Sequence, residues 1–159
     1  MRVGELLDRR DLRLLQLVPG DLERQIRWVH TLELVDATPY LRGGEVVLTT
    51  GAWFSGPESV ERFLGGLARV GIAALGFGVH ADLPEVPGEL VNAARHHGIC
   101  LFVVPADIPF IVVTEAFVEA SMDSRERPLR ESAARNAELV RSLQGGQGMP
   151  ALLLSLIHI

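Results

Sequence analysis

The sequence predicts an α/β fold: a mainly parallel sheet with covering helices, followed by an amphipathic connector helix. Three observations carry that prediction. Short apolar-centred runs at Glu45–Thr50, Ile72–Phe77 and Ile99–Val104 have the length of strands buried on both faces. Amphipathic stretches alternate with them, each opened by a proline, at Pro57, Pro87 and Pro109. The intervals between the runs are long enough for right-handed helical crossovers, which is how parallel neighbours are joined.

Taken in order, Val3–Arg9 reads as a short helix, and Leu12–Val18 and Ile26–Leu34 as strands joined through a turn at Pro19-Gly20-Asp21. In the second strand Ile26, Trp28, His30, Leu32 and Leu34 alternate with Arg27, Thr31 and Glu33, so the first set is expected in the core and His30 is a core histidine. Asp36–Gly44 is one short helical turn, with Thr38 as cap, Pro39 at the first helical position and two glycines for a sharp exit. Glu45–Thr50 is a strand that Gly51 releases into a loop. The helix from Pro57, with Ser55 as its cap, puts Val60, Phe63, Leu64, Leu67 and Ala68 on one face and ends at Gly71. The helix from Pro87 turns Leu90, Val91 and Ala94 inward and ends at Gly98. The helix from Pro109 carries the stripe Phe110, Val113, Phe117 and Ala120. After Met122 a polar break leads to Leu129–Leu143, where Leu129, Ala133, Asn136, Val140 and Leu143 recur at heptad spacing. Over two heptads, a coiled-coil seam and an amphipathic helix packed on its own domain fit equally.

Composition narrows the function classes. A chain of 159 residues with 48% hydrophobic and 22% charged residues suits one globular domain. All 15 basic residues are arginine, as GC-rich coding tends to give. The net charge of -5 supplies no long-range attraction for a polyanion, so this piece is not expected to hold DNA by itself. Cys100 is the single cysteine, which rules out an internal disulfide, and no run reaches the ~18 apolar residues of a membrane span. The expected compartment is the cytoplasm.

The chemistry-bearing residues form no familiar catalytic or metal pattern. His96 and His97 are adjacent, so on a helix they diverge by roughly 100°, and both read as solvent-facing. No G-x-S-x-G elbow occurs, and a phosphate loop ending in Gly-Lys-Ser/Thr needs a lysine. Gly76-Phe77-Gly78 lacks the third glycine of a dinucleotide loop, and close approach or loop conformation explains these glycines better. No cofactor and no catalytic residue is expected, although α/β sheets host many chemistries and an unrecognised enzyme is the remote third reading.

The segment Glu33–Gly51 is richer in polar groups than a connector requires. Asp36, Thr38, Arg42, Glu45, Thr49, Thr50 and Gly51 are the candidate ligand residues. The last three stand at the carboxyl end of a predicted parallel strand, where open α/β sheets place ligands, and Arg42 offers a fork of donors for a carboxylate, ureide oxygen or phosphate. Turn, capping and strand roles, with Arg42 paired to Glu45 or Asp36, explain the same residues. Residue chemistry by itself leaves both readings open.

Glu33-Leu34, Asp36, Thr38-Pro39, Leu41-Arg42-Gly43-Gly44-Glu45 and Leu48-Thr49-Thr50-Gly51 resemble the hallmark motif of the purine-catabolism regulator (PucR) N-terminal domain, also called the PurC-like domain. The similarity continues through Gly71–Gly78 and Pro105–Phe110 and covers Arg2 to Met122, departing from the family pattern at Ala37 and Tyr40. The resemblance implies a cytoplasmic, non-catalytic sensory domain of a bacterial transcription regulator. Its partners would be a small-molecule effector, a second copy in the full-length protein, and DNA only through a C-terminal helix-turn-helix domain that this sequence lacks. A non-sensing homodimerisation module is the alternative. The expected division is 1–123 as sensory domain, 124–145 as connector, 146–153 as the start of a truncated region and 154–159 as a non-native tail. Leu154-Ser155-Leu156-Ile157-His158-Ile159 is what CTG TCT CTT ATA CAC ATC encodes, a string resembling a transposon-end sequencing adapter.

Overall fold

The structure, a computed structural model, describes residues 1–123. The chain divides into two units, Met1–Val118 and Glu119–Ile159. The expected connector 124–145, the segment 146–153 and the tail 154–159 lie outside the described residues.

The first unit runs α1 (Val3–Leu7), β1 (Leu15–Val18), β2 (Trp28–Thr31), a 3-10 helix (Thr38–Tyr40), β3 (Glu45–Thr49), α2 (Pro57–Val70), β4 (Ala74–Gly78), α3 (Gly88–His97) and β5 (Leu101–Val104). A further helix, α4, covers 110–123. One five-stranded sheet has the order β1-β5-β4-β3-β2; β2 to β5 are parallel and β1 joins the edge of β5 antiparallel. The α/β fold with a mainly parallel sheet and covering helices is therefore what forms.

Consecutive crossovers of one hand that step across a sheet in one direction leave their helices on the same face. Accordingly α2 and α3 cover one face, where Phe63, Leu64, Leu67, Leu90 and Ala94 pack on Val47, Leu75, Phe77 and Leu101. On the other face Val3 and Leu6 of α1, with Val113, Ala116 and Phe117 of α4, pack on Val46, Leu48, Phe102 and Val104. Both layers are needed because β3 and β4 are buried along their whole length. The two glycine stops behave as the sequence predicts: Gly71 and Gly98 take left-handed φ of 80° and 67° and end α2 and α3.

Several local expectations are corrected. The two N-terminal strands do not pair with each other but form opposite edges of the sheet, and Gly20 in their connection lies so close to Cys100 that an added Cβ would meet Cys100 Cβ at 2.5 Å. The expected core face of the second strand is only partly buried: Ile26 and Leu32 are, but Trp28 and Leu34 are 50% and 48% exposed, His30 is intermediate, and Val29 is buried instead. The reason is that β2 is an edge strand in register with β3, so Val29 opposite Val46 reaches the α1–α4 layer, and Trp28, half exposed, makes a T-shaped pair with Phe117 at 5.7 Å. Thr38 is not a cap; the capping position is Ala37, and the Thr38 hydroxyl donates to Asp36 at 2.8 Å. Ser55 does not cap α2 either: the cap is Gly56, and Ser59 Oγ accepts from the Ser55 N–H and donates to the Gly56 carbonyl. His97 is not simply solvated, since its Nε2 lies 2.7 Å from Glu61.

Cys100 is 3% exposed, and burial pushes its thiol up from the ordinary cysteine range, opposed by a contact from Gln16 Nε2. A thiol whose pKa is raised by folding contributes stability below the unfolded pKa and loses it as pH climbs through the folded one. Iodoacetamide is therefore expected to label Cys100 at the rate of opening, accelerating sharply in urea; fast labelling of the native protein would show that the β5 start is not packed as described.

Candidate functional site

The polar residues of the Glu33–Gly51 segment fold into three places rather than one. At the amino end of β3, Glu45 is buried and its Oε2 accepts the Arg42 backbone N–H at 2.7 Å, while the Arg42 side chain is exposed. The carboxylate thus closes the Leu41–Gly44 turn, where Gly43 and Gly44 have φ of 104° and 80°. Oε1 of Glu45 has no partner among the described residues.

Thr49, Thr50 and Gly51 stand at the opposite end of the same strand, ~13 Å away at the rise of an extended chain. Here one carboxylate organises the turn. Glu33 Oε1 accepts the Thr50 N–H at 2.6 Å and the Thr50 hydroxyl at 2.9 Å; Oε2 accepts the Thr49 hydroxyl at 3.1 Å and the Ala52 N–H at 3.2 Å. Having donated to Glu33, Thr49 Oγ1 accepts from the Gly51 N–H at 3.2 Å and from Trp53 Nε1 at 2.9 Å. That uses the full capacity of a hydroxyl. Trp53 in turn stacks on Phe63 of α2 at 4.1 Å, tying the turn to the core.

Asp36 and Thr38 lie elsewhere again, on a groove of about 880 Å³ along the outer side of α2 with Glu61, Arg62, Arg69 and His97. It is the larger concavity, but its walls are long side chains on an exposed helix face, and Asp36, Thr38, Glu61 and His97 already pair among themselves.

A smaller crevice of about 260 Å³ is lined by Thr50 after β3, Gly78 and His80 at the end of β4, and Pro105, Ile108 and Phe110 after β5. It sits where the chain leaving β4 goes to α3 on one face and the chain leaving β5 goes to α4 on the other. Divergence of neighbouring connections at the carboxyl ends of parallel strands is the geometry at which open α/β sheets bind ligands. Gly78 is required here, because a Cβ would come within 2.5 Å of the Phe110 ring. The His80 backbone is held by reciprocal bonds with Leu83 at 3.0 Å, and its Nε2 lies 3.2 Å from the Thr50 carbonyl oxygen. The β5–α4 loop is anchored by an Asp107–Arg13 ion pair, with Arg13 itself in the left-handed region at φ 50°. The first turn of α4 leaves backbone N–H groups without intrahelical acceptors at this end.

Of the seven motif candidates, Thr50 lines this crevice and Thr49 and Gly51 flank it in the chain; Arg42 and Glu45 lie at the other end of β3, and Asp36 and Thr38 line the groove along α2. Glu33, Trp53 and His80 were not among them. Glu33 bounds the polar segment in sequence, and its place in the alternation of the expected strand Ile26–Leu34 gives it a solvent-facing reading. His80 and Trp53 carry no local pattern that announces their contacts. Among the described residues no group of three or more His, Cys, Asp or Glu side chains is placed to hold a metal ion, and no helix is long and apolar enough to cross a membrane.

Comparison with known proteins matches residues 5–120 to the purine catabolism regulatory protein-like family, PucR. The chain is 21% identical over 132 residues to the purine catabolism regulatory protein of Bacillus subtilis (strain 168), covering 82% of this chain and 25% of that protein. It is 26% identical over 103 residues to the transcriptional activator PmfR of Paenarthrobacter nicotinovorans, covering 64% of this chain and 22% of that protein. The chain thus spans about a quarter of the length of these relatives. No solved structure matches.

Proposed function

The chain belongs to the purine catabolism regulatory protein-like family, and from that membership we propose that its α/β unit is the effector-sensing domain of a transcription regulator. The observation that supports this most is the crevice between the β4–α3 and β5–α4 connections, because it brings a recess lined by Thr50, His80 and Phe110 to the first turn of α4. A small polar molecule seated between Thr50, His80 and Phe110 would favour one position of the α4 start. The change would pass along α4 into the residues that follow it. DNA contacts belong, in this reading, to a part of the regulator outside this chain, and two copies associate in the complete protein. The names of the relatives, purine catabolism regulatory protein and transcriptional activator, direct the effector search to intermediates of purine breakdown and related catabolism.

A thermal-shift screen of the chain against purine bases and ureides tests the proposal. A ligand present at a hundredfold excess over its Kd stabilises by about 2.7 kcal/mol, an easily read shift. The shift is expected to vanish in His80→Ala and to persist in Arg42→Ala, which changes the opposite end of β3. Loss in Arg42→Ala with retention in His80→Ala would move the site to the amino end of the strand. Silence across the whole panel would remove the sensing role for this ligand class.

A further inference from the structure

We infer that Glu33 is the positioning residue of the crevice, its carboxylate filling an anion cradle built by the Thr49–Ala52 turn and so aiming the Thr50 carbonyl at His80. This rests on the reading of the crevice as the effector site. The cradle consists of two backbone N–H groups and two hydroxyls that converge on one carboxylate. Four donors gathered at one point of a partly buried turn repel one another unless an acceptor, best an anion, lies between them.

The path from Glu33 to the crevice runs through single bonds. By accepting the Thr49 hydroxyl proton, Glu33 turns that oxygen's lone pairs toward Gly51 and Trp53. The Gly51 N–H that they receive shares its planar peptide group with the Thr50 carbonyl, which therefore points the opposite way. That opposite direction is where His80 Nε2 lies, 3.2 Å off. Once Nε2 is committed as donor to a carbonyl, a neutral His80 presents Nδ1 as an acceptor. Glu33 thus acts at a distance on the hydrogen-bonding face that the crevice offers, without lining it.

Two variants of the full chain test this without any effector. Glu33→Ala keeps Cβ and removes the equivalent of one acetate. Its expected signature is a shift of the His80 ring and Trp53 indole N–H resonances, and amide exchange at Thr50 and Ala52 faster on the order of tenfold or more. Sodium acetate, but not sodium chloride at equal ionic strength, is expected to return these signals toward their original positions. Thr49→Val removes only the hydroxyl relay and is expected to shift His80 while Thr50 and Ala52 keep their protection. If the His80 resonances stay in place in Thr49→Val, or if acetate and chloride act alike on Glu33→Ala, the positioning role is overturned. An effector screen that stays silent while His80 follows Glu33 and Thr49 would remove the sensing proposal and leave this one standing.

Discussion

Trp53→Ala is expected to lower the stability of the folded chain by about 3–5 kcal/mol, the range for emptying a buried large aromatic position. Three losses add in the same direction. The indole is 9% exposed and stacks on Phe63 at 4.1 Å with 23° between the planes, and such pairs contribute roughly 0.5–1.5 kcal/mol beyond burial. Its Nε1–H to Thr49 Oγ1 is broken, leaving an oxygen inside the turn with one partner fewer. The Phe63 ring, in the middle of α2, then faces a void where the indole was stacked. Domains of this size are stable by only about 5–15 kcal/mol, so the urea midpoint should fall severely with little change in slope. Trp53→Phe, which keeps a stacked ring and loses the hydrogen bond, should cost only about 1 kcal/mol. Equal midpoints for the alanine variant and the unsubstituted chain would mean that the indole is not packed on Phe63 in solution.

Gly51→Ala is the second large effect and arises two residues earlier. Gly51 has φ 79°, where an L side chain costs roughly 1–2 kcal/mol. A Cβ there would also lie 2.8 and 2.9 Å from two carbons of the Phe77 ring, which is 1% exposed and has no space to withdraw into; overpacking of that kind costs about 1–3 kcal/mol more. Together these give about 2–5 kcal/mol. Gly98→Ala is the internal comparison, with φ 67° but nothing within 4 Å of the added carbon, so only the backbone cost applies. Thermal unfolding should therefore rank Gly51→Ala well below Gly98→Ala. The reverse order would mean that the turn relaxes around Phe77.

Both substitutions act on the turn that Glu33 holds, and this explains why the candidate site was legible only in part. Thr49, Thr50 and Gly51 stood out because they follow an apolar run. That placed them correctly at the carboxyl end of a parallel strand. Arg42 and Glu45 stood out for the same polar density, yet a strand of five residues carries them to the far end of the sheet. Sequence proximity near a strand is misleading in this way, because each extended residue adds about 3.3 Å. Asp36 and Thr38 diverge for a further reason: the 3-10 helix turns them toward α2, where Thr38 Cγ2 would lie 3.0 Å from a Cβ at Gly66.

The sequence by itself determined the number, type and order of the elements of the sheet and its helices. Apolar runs of strand length, prolines at 57, 87 and 109 at the starts of helices, and glycines at 71 and 98 that take left-handed φ are local signals, fixed by backbone sterics and by the periodicity of burial. The tertiary structure alone decided which strands lie at the edges, that α4 crosses to the face opposite α2 and α3, and that Glu33 closes on a turn 16 to 19 residues away. These are choices among partners distant in the chain, settled by which apolar faces remain uncovered and which polar groups would otherwise be buried without a partner.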